Sequence, residues 1–109
     1  MANLKKLETL LLTNTKITDA GLKDVAKLQN LGRLELRKTQ ITDEGLKDVV
    51  KLQKLRMLGL DLTQITDESL KELVKLQELM QLWFFFTKVT KAGAAELKKA
   101  LPNCRISGP

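Results

Sequence analysis

The sequence predicts an α/β solenoid, with a parallel sheet on its concave side and short helices on its convex side. The first observation is a 24-residue period that runs through nearly all of the 109 residues. The second is that each period opens with alternating leucines, and the third is that helix-start residues follow them. A fixed period of this length is typical of stacked structural repeats. The period is carried by the columns Leu7, Leu31, Leu55 and Leu79; Leu10, Leu34, Leu58 and Leu82; and Ile17, Ile41, Ile65 and Val89.

A short strand is predicted at the start of each repeat. In residues 33–37 charged and apolar residues alternate, which places Leu34 and Leu36 on a buried face and the charged side chains on the other. Because each strand returns through a helix, neighbouring strands are expected to pair in parallel. The outward positions then form columns across the sheet: Thr9, Arg33, Met57 and Gln81; Leu11, Glu35, Gly59 and Trp83; Thr13, Arg37, Asp61 and Phe85; Asn14, Lys38, Leu62 and Phe86.

A turn and a short helix are predicted after each strand. The Thr39 hydroxyl is expected to bond backbone groups that the turn leaves unpaired. Thr42 is the predicted N-cap, and Asp43 is predicted to favour the helix dipole and to pair with Lys47 one turn later. A column of small residues predicts that neighbouring helix starts approach closely: Gly21, Gly45, Ser69 and Gly93.

The repeats predict a single domain over residues 1–109. It divides into a partial repeat at 1–6, repeats at 7–30, 31–54, 55–78 and 79–102, and a capping strand at 103–107. The capping strand is expected because Ile106 continues the column of Leu82, after Pro102 has ended the last helix. No polar cap precedes the first strand, so residues 9–12 are predicted to form an unpaired edge or to continue a longer solenoid.

Together the columns give the pattern L-x-x-L-x-L-x-x-T-x-[IV]-T-x-x-[GS]-[LA]-x-x-[VL]. This pattern resembles the leucine-rich repeat, L-x-x-L-x-L-x-x-[NC]-x-L, with Thr39 at the Asn or Cys position. The resemblance implies a horseshoe whose concave sheet surface binds partners. Repeats with T-x-[IV]-T-D-x-G-L are similar to those of bacterial leucine-rich-repeat proteins and of ubiquitin-ligase substrate receptors, although the sequence has no F-box-like segment.

Composition excludes several classes of function. With no His, no Tyr and the lone Cys104, neither a Ser-His-Asp nor a Cys-His arrangement can be built, so the chain is predicted not to be an enzyme. The repeated aspartates are too far apart for a metal site, and no phosphate-binding glycine motif indicates a cofactor. The net charge of +6 alone does not indicate nucleic-acid binding. Without a signal peptide or an apolar run of membrane-spanning length, a cytoplasmic location and no membrane contact are expected.

Every aromatic residue of the chain lies at positions 83–86. Because Phe84 belongs to a core column, Trp83, Phe85 and Phe86 are predicted to point outward, beside Met57 and Leu62 of the preceding repeat. Exposed aromatic patches mark interfaces, and Trp is a frequent anchor. Two alternatives remain open: Trp83 shields Gly59 locally, or parts of a longer protein cover the patch.

Arg33, Arg37 and Lys38 form a basic cluster on the second repeat. Glu35 lies among them and Asp61 faces Arg37 across the strands, which favours a solvated, self-compensating surface over an acidic partner. Nucleic acid is not expected, because no aromatic residues interleave with the arginines.

The sequence therefore predicts a non-catalytic protein-binding module that uses the concave sheet surface. The alternative is a structural or self-assembling element that dimerises through its uncapped N-terminal repeat. The candidate binding residues are Arg33, Arg37, Met57, Leu62, Trp83, Phe85 and Phe86.

Overall fold

The computed structural model describes residues 5–108, so most of the partial repeat predicted at residues 1–6 lies outside the described residues. Strands and helices alternate, and each strand begins 24 residues after the preceding one. The elements are β1 (Thr9–Leu11), α1 (Asp19–Val25), β2 (Arg33–Glu35), α2 (Asp43–Val49), β3 (Met57–Gly59), α3 (Asp67–Leu73), β4 (Gln81–Trp83), α4 (Lys91–Ala100) and β5 (Arg105–Ser107).

The strands form one open parallel sheet in the order β1-β2-β3-β4-β5. The register follows the sequence period, so that Leu34 lies beside Leu10 on one side and Leu58 on the other. At the C-terminal end, Ile106 of β5 lies beside Leu82 of β4. The predicted α/β solenoid, with strands on one side and helices on the other, is confirmed.

The core lies between the sheet and the helices. Leu34, Leu36 and Ile41 of the second repeat are fully buried, as are their counterparts in the third. Phe84 takes the place of Leu36 and Leu60 in the fourth repeat and is also fully buried. Full burial of such a side chain contributes about 1.5–3 kcal/mol, so these columns supply most of the stabilisation.

The threonine after each strand has the role that the sequence predicts. Thr39 Oγ1 donates to the Leu36 carbonyl at 2.7 Å, and Thr63 Oγ1 donates to the Leu60 carbonyl at the same distance. Both threonines are buried. The hydroxyl thus satisfies a carbonyl that the turn directs into the interior, where an unpaired acceptor is costly.

The aspartate at each helix start bonds the next repeat and not its own helix. Asp43 accepts the Thr66 N–H at 2.8 Å and the Thr66 hydroxyl at 2.6 Å. The predicted pairing of Asp43 with Lys47 is wrong, because Lys47 Nζ lies 3.0 Å from Glu44 Oε1. Asp19 and Asp67 bond the following repeats in the same way. We call Asp19, Asp43 and Asp67 the aspartate ladder.

The aspartate ladder explains the column of small residues. A Cβ on Gly45 would overlap the Asp19 carboxylate and lie 2.6 Å from Leu22 Cδ1. Ser69 holds the equivalent position in the third repeat and donates its hydroxyl to Asp43 at 2.5 Å. Partial burial raises the pKa of Asp43, but the bonds from Ser69 and Thr66 outweigh it, and the pKa lies below its ordinary value of 3.8. The predicted close approach is therefore confirmed.

The helices are short. The longest, α4, has 10 residues, and among the described residues no helix is long and apolar enough to cross a membrane.

Candidate functional site

The outward positions of the strands line up across the sheet as the sequence predicts. Arg33, Met57 and Gln81 lie side by side in one row, and Glu35, Gly59 and Trp83 in the next. We call this outer surface of the sheet, on the side away from the helices, the sheet face. All seven predicted binding residues lie on the sheet face or at its margins, but the structure does not bring them into one cluster.

The turn after each strand contains a residue with an unusual backbone, directly after the column of Thr13, Arg37, Asp61 and Phe85. Lys38, Leu62 and Phe86 have φ angles of 56°, 59° and 58°, and Asn14 at the equivalent position has 59°. This left-handed region suits glycine and asparagine, whereas other side chains are strained there. The strain is compatible with the regular ladder, since Lys38 N–H donates to the Asp61 carbonyl and Leu62 N–H to the Phe85 carbonyl, each at 2.9 Å.

Three large apolar side chains are exposed just after the C-terminal ends of β3 and β4. Leu62 is 50% exposed, Phe85 44% and Phe86 80%. The Phe85 and Phe86 rings lie 6.4 Å apart in a tilted arrangement. We call Leu62, Phe85 and Phe86 the apolar patch. Met57 begins its strand five residues before Leu62, at the opposite end, so it does not belong to this patch.

Trp83 is half-buried and adjoins the apolar patch on its strand. The Arg37 guanidinium lies over the Trp83 ring, 5.1 Å from its centre, in cation–π geometry. Trp83 does not supply the nearest atoms above Gly59: a Cβ built there would overlap Glu35 Oε1 and lie 2.9 Å from Arg37 Nε. The alternative in which Trp83 shields Gly59 is therefore wrong, because the Glu35 carboxylate occupies the space directly above Gly59.

The charged residues of the second repeat form a connected network. Glu35 Oε2 lies 3.2 Å from an Arg33 guanidinium nitrogen, and Glu35 Oε1 lies 3.1 Å from Arg37 Nε. The latter contact is an ion pair without hydrogen-bond alignment, because neither atom has a hydrogen-bond partner among the described residues. Arg37 Nε also lies 3.4 Å from Asp61 Oδ2, and Asp61 Oδ1 accepts the Phe85 N–H at 2.6 Å. Arg33 and Arg37 are therefore compensated as predicted, whereas Lys38, the third member of the predicted basic cluster, makes no ion pair within the described residues.

Glu35 is the member of this network that sequence reasoning misplaced. Its outward position predicted a solvated side chain, yet the residue is only 3% exposed. The absence of a side chain at Gly59 leaves room for the carboxylate, and the two arginines cover it. The sequence does contain a signal for this burial: Gly59 lies beside Glu35 in the predicted row and leaves a space that the carboxylate can fill.

The described residues contain no candidate metal site, and their cysteine is buried. Among residues 5–108, no three His, Cys, Asp or Glu side chains come together to hold a metal ion. Cys104 is buried, and this burial raises the pKa of its thiol to about 11, which keeps it protonated and poorly nucleophilic.

Comparison with known proteins identifies the repeats. A family model described as "Leucine Rich repeat" matches residues 3–26 and 27–50. No curated protein sequence shows a significant match.

Solved structures extend the likeness beyond these two repeats. Internalin C2 of Listeria monocytogenes is 31% identical with a TM-score of 0.79, covering 96% of this chain and 42% of its own. A leucine-rich-repeat protein of Leptospira interrogans is 27% identical with a TM-score of 0.73, covering 93% and 25%. Leiomodin-1 actin-binding site 2, at 15% identity and a TM-score of 0.75, covers 99% and 76% and shares the fold alone.

The chain thus spans a quarter of the Leptospira protein and less than half of the internalin. The family match and the solenoid that continues through β5 agree with the column pattern of the sequence. The predicted resemblance to bacterial leucine-rich-repeat proteins is confirmed, and the chain has the fold of a leucine-rich-repeat solenoid.

Proposed function

We propose that the chain is a non-catalytic protein-binding module whose sheet face contacts the partner through the apolar patch. The observation that carries this proposal is the joint exposure of Leu62, Phe85 and Phe86 on one margin of the sheet. A contiguous group of exposed large apolar side chains marks an interaction surface, whereas single exposed ones need no explanation.

Neither folding nor backbone geometry accounts for two of these side chains. Leu62 and Phe86 are at least half exposed and sit at positive φ. A left-handed conformation costs a side-chain-bearing residue about 1–2 kcal/mol, a cost that glycine avoids. Bulky apolar residues at strained, exposed positions are better explained by binding than by stability.

The distribution of residue types supports the sheet face over the helices. The four arginines, the three aromatic residues outside the core (Trp83, Phe85 and Phe86) and the methionines Met57 and Met80 lie in or beside the strands. The helices instead carry Lys–Glu and Lys–Asp pairs, such as Lys71 with Glu68. Interfaces are enriched in Arg, Trp, Phe and Met and depleted in Lys and Glu, so the two sides differ as a binding surface and a solvated surface do.

The ion-pair network gives the apolar patch a preorganised base. Arg37 is held by Glu35 and Asp61 and lies over Trp83, while Asp61 holds the backbone N–H of Phe85. A surface ordered before binding loses less conformational entropy when the partner arrives.

The test is a selection of peptides from a phage-displayed library on the immobilised chain, followed by affinity measurement on variants. The double variant Leu62→Gly with Phe86→Gly removes the apolar patch at positions where glycine suits the backbone. It is preferable to removing Trp83, whose ring supports Arg37. Selected peptides are expected to bind the double variant at least about thirtyfold more weakly, as loss of a hot spot implies.

Lys38→Gly is the matched control, because it makes the same backbone change in the same column outside the apolar patch. Selected peptides should bind it as they bind the unmodified chain. Peptides that bind the double variant with unchanged affinity, or a selection that enriches none, would refute the proposal.

A second candidate function is homodimerisation through β1. Leu10, Leu12 and Ile17 are only partly buried, and Leu11 is 60% exposed beside them. A two-fold axis at this edge would pair the two β1 strands antiparallel. Sedimentation equilibrium checks it: the chain should dimerise with rising concentration and Leu11→Lys should not, whereas a monomer at every concentration contradicts dimerisation.

A further inference from the structure

We propose that the start of the strands holds a second contact site, which binds an acidic and apolar stretch of a protein partner. The site is a groove of about 500 Å³ lined by Arg56, Met57, Met80, Gln81, Asn103 and Arg105, which we call the basic groove. This inference deepens the proposed function, because the groove lies along the same sheet face. It rests on a different observation from the apolar patch, at the opposite ends of the strands.

The backbone ladder sets the walls of the groove. Met57, Gln81 and Arg105 occupy one row across β3, β4 and β5, so their side chains share the outward side of the sheet. The residues just before them, Arg56 and Met80, are exposed at the rim. The Arg56 carbonyl accepts the Met80 N–H at 2.8 Å, which holds these two rim residues beside each other.

The groove is cationic and its charge is uncompensated. None of its six lining residues is acidic. Within residues 5–108, no carboxylate lies within ion-pair distance of Arg56 or Arg105, whereas Arg33 and Arg37 are both ion-paired. A planar guanidinium binds a carboxylate through two parallel hydrogen bonds, so the two groove arginines are suited to acidic side chains.

Spacing defines the form of the ligand. Arg56 precedes β3 and Arg105 begins β5, two strand spacings away, which is about 10 Å. A peptide in the polyproline II conformation rises about 3.1 Å per residue and completes a turn every three residues, so side chains at positions i and i+3 lie on one face about 9 Å apart. Two carboxylates at these positions can then reach the two arginines while the apolar residues between them contact Met57 and Met80. Methionine adapts its shape to varied apolar partners.

A nucleic acid fits the groove less well than a peptide. Its apolar surface is thioether and methylene, with no aromatic ring among the lining residues on which a base would stack. The groove also has only two cationic lining residues, Arg56 and Arg105, so it provides few contacts to phosphates. Phosphate contacts dominate nucleic-acid affinity.

The experiment measures fluorescence anisotropy of a labelled peptide, Gly-Gly-Glu-Leu-Leu-Glu-Gly-Gly-amide, on the full chain. We expect saturable binding that weakens as salt is added, because the arginine contacts are partly screened at the surface. The matching peptide with Gln at both Glu positions should bind at least about tenfold more weakly, and a Lys peptide not measurably. Absence of binding by the acidic peptide, or equal binding by the Gln peptide, overturns the proposal.

Variants then locate the contact. Arg56→Ala with Arg105→Ala should lower affinity at least about thirtyfold, with Arg56→Lys alone losing less, since lysine keeps the charge without the planar fork. Lys98→Ala with Lys99→Ala makes the same change in net charge on α4 and should leave the affinity unchanged. If the two double variants lose peptide affinity equally, the peptide binds by general charge attraction and the proposed site is refuted.

Two further measurements distinguish this proposal from binding at the apolar patch and from nucleic-acid binding. The acidic peptide should bind the Leu62→Gly and Phe86→Gly variant as it binds the unmodified chain, so the groove and the apolar patch can fail independently. A labelled single-stranded oligothymidylate that binds more tightly than the peptide, and loses binding with Arg56 and Arg105, would overturn the choice of a protein ligand.

Discussion

Replacing Phe86 by glycine separates the binding contribution of its side chain from the cost of its backbone. Phe86 is 80% exposed and has a φ of 58°, so its ring gains little from folding while its backbone is strained. We therefore expect Phe86→Gly to be at least as stable as the unmodified chain and Phe86→Ala to be less stable than Phe86→Gly. The alanine variant also loses the ring but keeps the Cβ that makes the conformation costly.

The magnitude follows from two opposing terms. Relief of the left-handed strain contributes about 1–2 kcal/mol. The greater freedom of glycine in the unfolded chain costs about 0.5–1 kcal/mol, which leaves glycine about 0.5–1 kcal/mol more stable than alanine. Loss of the tilted contact with the Phe85 ring affects both variants equally and cancels in this comparison.

Urea unfolding followed by far-UV circular dichroism measures the difference in the free energy of unfolding. Lys38→Gly against Lys38→Ala should show the same gap, because Lys38 has the same backbone and lies outside the apolar patch. At Asn14 the change to glycine should be nearly neutral, since asparagine tolerates the left-handed region. If alanine equals or exceeds glycine at both Phe86 and Lys38, the strain that motivates the binding proposal does not exist.

Four further predictions concern the scaffold. Asp43→Ala should lower the free energy of unfolding by about 2–3 kcal/mol, and Asp67→Ala by less, because Asp43 receives a third hydrogen bond, from the Ser69 hydroxyl, that Asp67 lacks; equal losses in urea unfolding would contradict this. Since the pKa of Asp43 is lowered on folding, the stabilisation that its charged carboxylate provides is complete above the ordinary pKa of 3.8 and disappears as the pH falls through the folded-state pKa. The urea midpoint of Asp43→Asn should therefore decrease less than that of the unmodified chain between neutral pH and about pH 2. Gly59→Ala should cost about 1–3 kcal/mol by displacing the buried carboxylate beside it, whereas Gly32→Ala, whose Cβ would meet only a carbonyl at 3.8 Å, should cost much less in the same assay. Cys104 should react with a disulfide reagent only after urea unfolding, because burial raises its pKa to about 11, and rapid reaction of the folded chain would contradict that burial.

Periodicity was sufficient to predict the fold because each repeat buries the same columns against its neighbours. Leu34 and Leu58 needed no tertiary information, since alternation alone assigns them to the inner side of a strand. The Thr39 bond was also predictable, because a turn must satisfy its own backbone groups within a few residues.

Interactions between repeats were harder to predict because their partners are 23 or more residues apart in sequence. Asp43 has a lysine four residues later, and the local rule for helix pairs favoured that contact. The bonds to Thr66 prevail because they satisfy a backbone N–H and a hydroxyl at a part-buried helix start. Glu35 was assigned to solvent for a similar reason, since period-2 alternation cannot register the space left by Gly59 on the next strand.

The candidate site was predictable in composition and less so in arrangement. The run of aromatic residues pointed to the fourth repeat, and Phe85 and Phe86 are indeed exposed. The left-handed backbone of Leu62 and Phe86 was not predicted, because Asn14 is the one residue in that column of a type that often adopts this conformation. The free arginines of the basic groove lie in different columns, so no single-column comparison connects them.

The aspartate ladder gives the solenoid a direction. Each aspartate bonds the helix start of the repeat that follows, so every helix after the first depends on its predecessor for part of its capping. Thr18, the N-cap residue of α1, makes no side-chain capping bond within the described residues. Thr42, Thr66 and Thr90 each make one. Among the described residues, α1 thus lacks a side-chain capping bond that α2, α3 and α4 each have, and local opening by thermal motion should be easiest at α1. The surfaces proposed for binding lie mainly on the third and fourth repeats, at the end of the array that this asymmetry protects.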